Sequence, residues 1–219
     1  VIQSQIKLKI CGITQARQAI HIASLGAHAI GIIGVSKSPR YLAQKSRDKI
    51  FKVLKDSYPR TERVLVVADI NDFDLDESLK SDAAPTIIQL HGEESVKRCK
   101  ALRAMHPQVK FWKALRIRSE NDLISAGKYQ EIVDALLIDA WDENLLGGTG
   151  HRVSLNLLKE KEFKIPWWIA GGISADWIPE LLSVITPYGI DASSKLEISP
   201  GVKDLEKVEH LIQAIKEYS

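Results

Sequence analysis

Leu136-Leu137-Ile138-Asp139 is an apolar run that ends in a carboxyl group and opens into a glycine-rich loop, Leu146-Gly147-Gly148-Thr149-Gly150. Its near-continuous apolar character suits a parallel strand buried on both faces. A carboxylate at the end of such a strand is costly unless it is paired or used. Glycines just beyond it let backbone approach a ligand closely. A second stretch answers it: Lys7-Leu8-Lys9-Ile10-Cys11-Gly12-Ile13-Thr14 reads as a strand that ends in a thiol. If the two strands are parallel, Asp139 and Cys11 stand at the same end and form a candidate acid–base pair.

Outward from these two strands the chain alternates strand and helix. Strands are expected over residues 6–11, 29–33, 63–68, 86–90, 110–115, 133–139, 167–170 and 188–192. In the first, Ile6, Leu8 and Ile10 share one face and Lys9 and Cys11 the other, because the side-chain period of a strand is two. The apolar face is expected to pack on helices and Lys9 and Cys11 to point inward. Thr14 reads as an N-cap, with Ala16, Ala19, Ile20 and Ala23 at helical spacing and Gly26 as the stop. Further helices are expected over 44–57, within the acidic stretch 69–82, and over 93–105, 121–126 (capped by Ser119), 155–159 and 175–185. A last one follows Asp204, with Leu205, Val208, Leu211, Ile212 and Ile215 inward. About eight strands, each followed by a helix, predict an α/β fold: a single (β/α)8 TIM barrel over residues 1–219. A doubly wound open sheet is the structural alternative.

A chain of 219 residues with a net charge of +2 is long enough for that barrel and gives no sign of a nucleic-acid or membrane partner. Its apolar runs are too short to span a bilayer. The first five residues carry no signal-peptide pattern, and the only two cysteines, Cys11 and Cys99, lie in no metal spacing. A reduced cytoplasmic protein is expected.

In a parallel barrel the carboxyl ends of all strands share one face, and the site is built there. The strand ends place Cys11, the Ser38-Pro39-Arg40 loop, His91, Asp139, Gly171-Gly172 and Ser193-Ser194 on that face. The small-residue turns after the seventh and eighth strands suit a phosphate held by backbone N–H groups; the plainer reading is a tight turn. Cys11 alone reads as a buried small hydrophobe as easily as a nucleophile or base, and Lys9 is expected to lower its pKa. Asp139 also reads as a helix cap or as the ion-pair partner of Lys9. His91 also reads as a donor to a backbone carbonyl, and Arg40 as half of a surface ion pair rather than an anion ligand. Trp141 suits either ligand cover or loop packing, and mid-helix Cys99 reads as core.

Several of these stretches, in order along the chain, resemble the phosphoribosylanthranilate isomerase family of tryptophan biosynthesis. They are Lys9-Ile10-Cys11-Gly12-Ile13-Thr14, Ser38-Pro39-Arg40-Tyr41, Gln89-Leu90-His91-Gly92, Leu136-Leu137-Ile138-Asp139 with Gly147-Gly148-Thr149-Gly150, Ala170-Gly171-Gly172, Asp191-Ala192-Ser193-Ser194 and Ser199-Pro200-Gly201-Val202-Lys203-Asp204. The resemblance implies a cofactor-free Amadori rearrangement of N-(5-phosphoribosyl)anthranilate, with Asp139 as general acid and Cys11 as general base. The acid must hold a proton near neutral pH, which a partly apolar barrel mouth favours. It also implies Arg40, His91 and Gly148 as substrate contacts, and Gly171, Gly172, Ser193 and Ser194 as the phosphate site. No metal is implied. The expected partner is a small phosphosugar, and a monomer is expected. The chain departs from the family's pattern at Lys195, where Gly is usual after Ser-Ser, at Gly150-His151-Arg152, at Asp69 and at Ile32. The alternative is a non-catalytic or differently specific sugar-phosphate-binding barrel. A sugar isomerase of histidine biosynthesis is disfavoured because that family is expected to carry Asp where Cys11 stands.

Overall fold

The structure is a computed structural model that describes residues 6–139, 155–159 and 161–218. Eight strands form a closed barrel in sequence order: β1 (Lys7–Cys11), β2 (Ala29–Ile33), β3 (Glu62–Val67), β4 (Ile87–Leu90), β5 (Lys110–Arg116), β6 (Ala135–Asp139), β7 (Trp167–Ala170) and β8 (Gly189–Ala192). Every neighbouring pair is parallel, and β8 closes on β1 through Lys7 opposite Gly189 and Lys9 opposite Asp191. The predicted barrel is therefore observed, with each expected strand present to within about two residues at its ends.

The helices are α1 (Ala16–Ser24), α2 (Gln44–Ser57), α3 (Asp72–Leu79), α4 (Val96–Met105), α5 (Glu120–Gly127), α6 (Leu155–Leu158), α7 (Ile178–Val184) and α8 (Leu205–Tyr218). Their starts follow local chemistry. Asn71, Ser95 and Ser119 each accept a backbone N–H with their side chains, and Ser119 and Asp122 form a reciprocal capping box. Asp204 accepts the Lys207 N–H and so caps α8. One expected cap is corrected. Gln15, not Thr14, precedes α1, and the Thr14 hydroxyl instead donates to the Gly201 carbonyl at 2.5 Å. The chain before α8 lies near enough to capture that hydroxyl, a long-range contact that local spacing does not reveal. An antiparallel pair, β9 (Glu197–Ser199) and β10 (Val202–Lys203), also stands between β8 and α8 and was not foreseen.

Strand alternation divides the core in two. Leu8, Ile10, Ile30, Ile32, Leu65, Leu136, Ile138 and Ile190 face outward and meet the helices, which add Ile22, Phe51, Leu54, Leu181 and Leu211. Each such side chain contributes roughly 1.5–3 kcal/mol by leaving water. The inward cluster is smaller: Ala29, Val64, Ile87, Trp112, Ala114, Ala135, Leu137, Trp168 and Ala170. Trp112 and Trp168, with ring centroids 4.7 Å apart, fill the barrel towards the amino ends of the strands. The carboxyl end is left to polar side chains, and that asymmetry positions the site.

Candidate active site

A cavity of about 340 Å³ opens at the carboxyl ends of the strands. Cys11, Asp139, His91, Arg40, Gly171, Gly172, Ser193 and Ser194 all line it, so the barrel gathers every described candidate into one place. Gly148 and Trp141 lie outside the described residues.

Cys11 ends β1 and is 7% exposed. Its neighbour in the β1–β2 register is Gly31. A Cβ there would stand 2.7 Å from the Cys11 sulfur and 3.1 Å from Lys9 Cε, so only glycine leaves the thiol its place. Two residues behind Cys11 on the same face, Lys9 is fully buried and donates to Asp191 at 2.7 Å. The inward parity expected of Lys9 and Cys11 is thus observed. Two expectations about Lys9 are corrected. Its carboxylate is Asp191 on the adjacent β8, not Asp139. Lys9 does pull the Cys11 thiol down, but burial outweighs that pull and the thiol lies above its ordinary value. For Lys9 itself, burial opposes the charge, and Asp191 and Cys11 together overcome it, so the ammonium is held more tightly than usual.

Asp139 ends β6, and its carboxyl Oδ2 lies 3.7 Å from His91 Nε2. His91 Nδ1 in turn lies 3.3 Å from Gln89 Nε2. This replaces the backbone carbonyl proposed as the plainer partner of His91.

Arg40 reaches across the cavity rim to Glu197 on β9, with Nε and Nη2 both donating at 2.6–3.1 Å. The ion pair expected as its plainer reading exists, but it is half-buried and belongs to the site. Glu197 also accepts Lys203 Nζ at 2.8 Å and the Gly201 N–H. Burial would raise its pKa, yet these donors prevail and hold the carboxyl at about 2. Buried Lys203 further donates to the Ser193 carbonyl, and the Ser193 hydroxyl donates to the Cys11 carbonyl. The hairpin that the sequence did not announce thus ties the end of β8 to the end of β1.

Gly171 and Gly172 follow β7 with φ of 94° and 66°, a left-handed turn that other residues rarely adopt. A short 3₁₀ turn, Ser194–Leu196, follows β8 beside them. Adjacent turns of small residues expose backbone N–H groups to a cavity, which suits an oxyanion. Lys195 lines the same wall and adds a cation.

Sequence reading missed Asp191, Glu197, Gln89 and the Lys113–Glu94 ion pair (2.8 Å), which anchors the loop after β4 through the Gly92 carbonyl. For Asp191 a signal existed: a lysine facing into a barrel demands a carboxylate of matching parity on a neighbouring strand.

Comparison with known proteins accords with this arrangement. A sequence model of the N-(5'-phosphoribosyl)anthranilate isomerase family matches residues 8–214. The curated N-(5'-phosphoribosyl)anthranilate isomerases of Acaryochloris marina and Synechococcus elongatus are 40% and 41% identical to it, over 96% of this chain and 98% and 96% of theirs. The crystal structure of phosphoribosyl anthranilate isomerase from Thermotoga maritima superposes with a TM-score of 0.84 at 27% identity, covering 97% of this chain and 99% of that one. A structure of such an isomerase in complex with reduced 1-(o-carboxyphenylamino)-1-deoxyribulose 5-phosphate superposes at 0.80, with 27% identity, over 97% and 99% of the two chains. With the match running nearly end to end over a closed barrel of the same kind, the chain belongs to the N-(5'-phosphoribosyl)anthranilate isomerase family.

Proposed function

We propose that the chain converts N-(5'-phosphoribosyl)anthranilate to 1-(2-carboxyphenylamino)-1-deoxyribulose 5-phosphate. The observation that carries this reading is the meeting of Cys11 on β1 and Asp139 on β6 in one cavity that also holds two anion-suited turns. The substrate phosphate lies on Gly171, Gly172, Ser193 and Ser194. Arg40, Gly148 and His91 contact the anthranilate and the sugar.

Asp139, as general acid, gives a proton to the furanose ring oxygen as the C1–O bond breaks. The nitrogen lone pair forms C1=N, and the ring opens to the Schiff base. Cys11 as thiolate removes the C2 proton. The C2 electrons form C1=C2, and the C1=N electrons return to nitrogen, giving the enolamine. Transfer of the enol proton to C1 completes the ketose. No electrons are gained or lost, so the side chains present supply what each step needs. His91, whose Nε2 lies 3.7 Å from Asp139 Oδ2, keeps that carboxyl aimed into the cavity.

The protein acts on this small phosphosugar as a single-domain monomer in a reducing, cytoplasmic setting. In support, both cysteines are free and buried, and the exposed large apolar side chains Phe73, Met105, Ile124 and Ile198 stand on separate elements. Among the described residues no helix is long and apolar enough to cross a membrane. The reaction is tested by conversion in D2O. Enolisation predicts product with solvent deuterium at C1; product without it, or no conversion, contradicts the mechanism. Light scattering tests the monomer.

A further inference from the structure

A second cavity, of about 550 Å³, lies outside the barrel wall where the β2–α2 and β3–α3 segments meet. It shares no lining residue with the catalytic cavity. Its floor holds Arg47, in the first turns of α2 and only 8% exposed. The three buried lysines each hold a carboxylate: Lys9 with Asp191, Lys113 with Glu94 and Lys203 with Glu197. Among the described residues Arg47 has no carboxylate within 4.0 Å; its one side-chain hydrogen bond is Nη2 to Ser78 Oγ at 3.2 Å. That hydroxyl spends its own proton on the Asp74 carbonyl.

A guanidinium carries five N–H donors, and a buried cation without a partner is costly. The Arg47 nitrogens are not among the sealed, partnerless polar atoms of the described residues, so the donors Ser78 leaves open face the cavity. The backbone makes room for this fork. A Cβ on Gly34, which also lines the cavity, would lie 2.8 Å from Arg47 Nη1. Asp48 and Asp74 act on the guanidinium from beyond ion-pair distance. Asp69 and Asp74 line the cavity with Lys37 and the Tyr41 ring.

We infer that this cavity is a second ligand site, separate from the catalytic one, which takes the carboxylate of a small molecule on the Arg47 guanidinium. Two coplanar oxygens match the planar fork. A single negative charge is tolerated beside Asp69 and Asp74, where a phosphate dianion is repelled. The site stands whether or not the isomerase reading does.

The test is titration of the full chain, labelled with ¹⁵N-arginine, with acetate and then benzoate at ionic strength held constant with chloride. The Arg47 Nε–H resonance is assigned by its loss in Arg47→Met, or in Arg47→Lys if the first variant does not fold. Arg40 is the internal comparison for anions that enter the catalytic cavity. The expected result is a saturable shift of the Arg47 signal with either carboxylate, weakened about tenfold in Gly34→Ala, and a smaller response to inorganic phosphate. A shift of Arg40 alone, or an Arg47 shift that grows linearly without saturating, overturns the site. A stronger response to phosphate overturns its assignment to carboxylates. Turnover of phosphoribosylanthranilate, read on the same samples, reports on the isomerase reading separately.

Discussion

Gly31 on β2 stands opposite Cys11 on β1, and a methyl group at Gly31 would sit 2.7 Å from the Cys11 sulfur. The thiol therefore has its position because its neighbour has no side chain. Gly31→Ala is expected to force Cys11 and Lys9 apart and lower kcat by about tenfold or more, as small misplacements of a reacting group do. Steady-state kinetics check this; an unchanged kcat contradicts the placement of the base.

Lys9 sets the charge next to that thiol. Burial raises the Cys11 pKa and Lys9 opposes the rise, so the thiolate needed as base forms as pH climbs through a value above the ordinary thiol range. The rising limb of kcat/KM against pH is expected there, since that profile reports the free enzyme. Lys9→Met removes the opposing charge and moves the limb further to alkaline pH. It also strands buried Asp191, with a stability loss of about 3–5 kcal/mol. A limb that stays put in Lys9→Met rules out Cys11 as the titrating group.

Glu197 gathers Arg40 and Lys203, and its folded pKa of about 2 lies below the ordinary carboxylate value of 4.5. A depressed acid stabilises the fold above its unfolded pKa, and that contribution is lost as pH falls towards the folded value. Glu197→Gln is therefore expected to cost roughly 2 kcal/mol at neutral pH, with the difference from wild type shrinking towards pH 2. Released from its partner, Arg40 also becomes mobile, and KM rises. Denaturant melts across that range check the first point; a pH-independent difference contradicts it.

Lys195 lines the catalytic cavity beside the small-residue turns. Lys195→Gly is expected to raise KM several-fold, with the effect fading at high salt, while kcat holds. A loss confined to kcat contradicts a role in phosphate affinity.

Much of this site was legible in the sequence because strand ends are. Period-two alternation placed Lys9 and Cys11 inward, and apolar runs bounded by glycine, serine or aspartate marked where strands stop. Cys11, His91, Asp139 and the two small-residue turns follow from those rules alone. What stayed hidden was partner choice across long separations. Lys9 meets Asp191, 182 residues away, and Arg40 meets Glu197, 157 away. The β9–β10 hairpin is too short to show a period, and Thr14 was claimed by Gly201 rather than by its own helix. The direction of the Cys11 shift stays hidden for a related reason: a neighbouring lysine can be read from sequence, while the depth of burial that outweighs it cannot.

The central claim is that Asp139 and Cys11 act as acid and base on phosphoribosylanthranilate. The most direct test follows the decay of that substrate's fluorescence on adding pure protein, beside Cys11→Ala and Asp139→Asn, with circular dichroism to confirm that each is folded. Rapid decay with the wild type and nearly none with either folded variant is the predicted result. Full activity in either variant would contradict the assignment, and a folded wild type that leaves the fluorescence unchanged would contradict the activity itself.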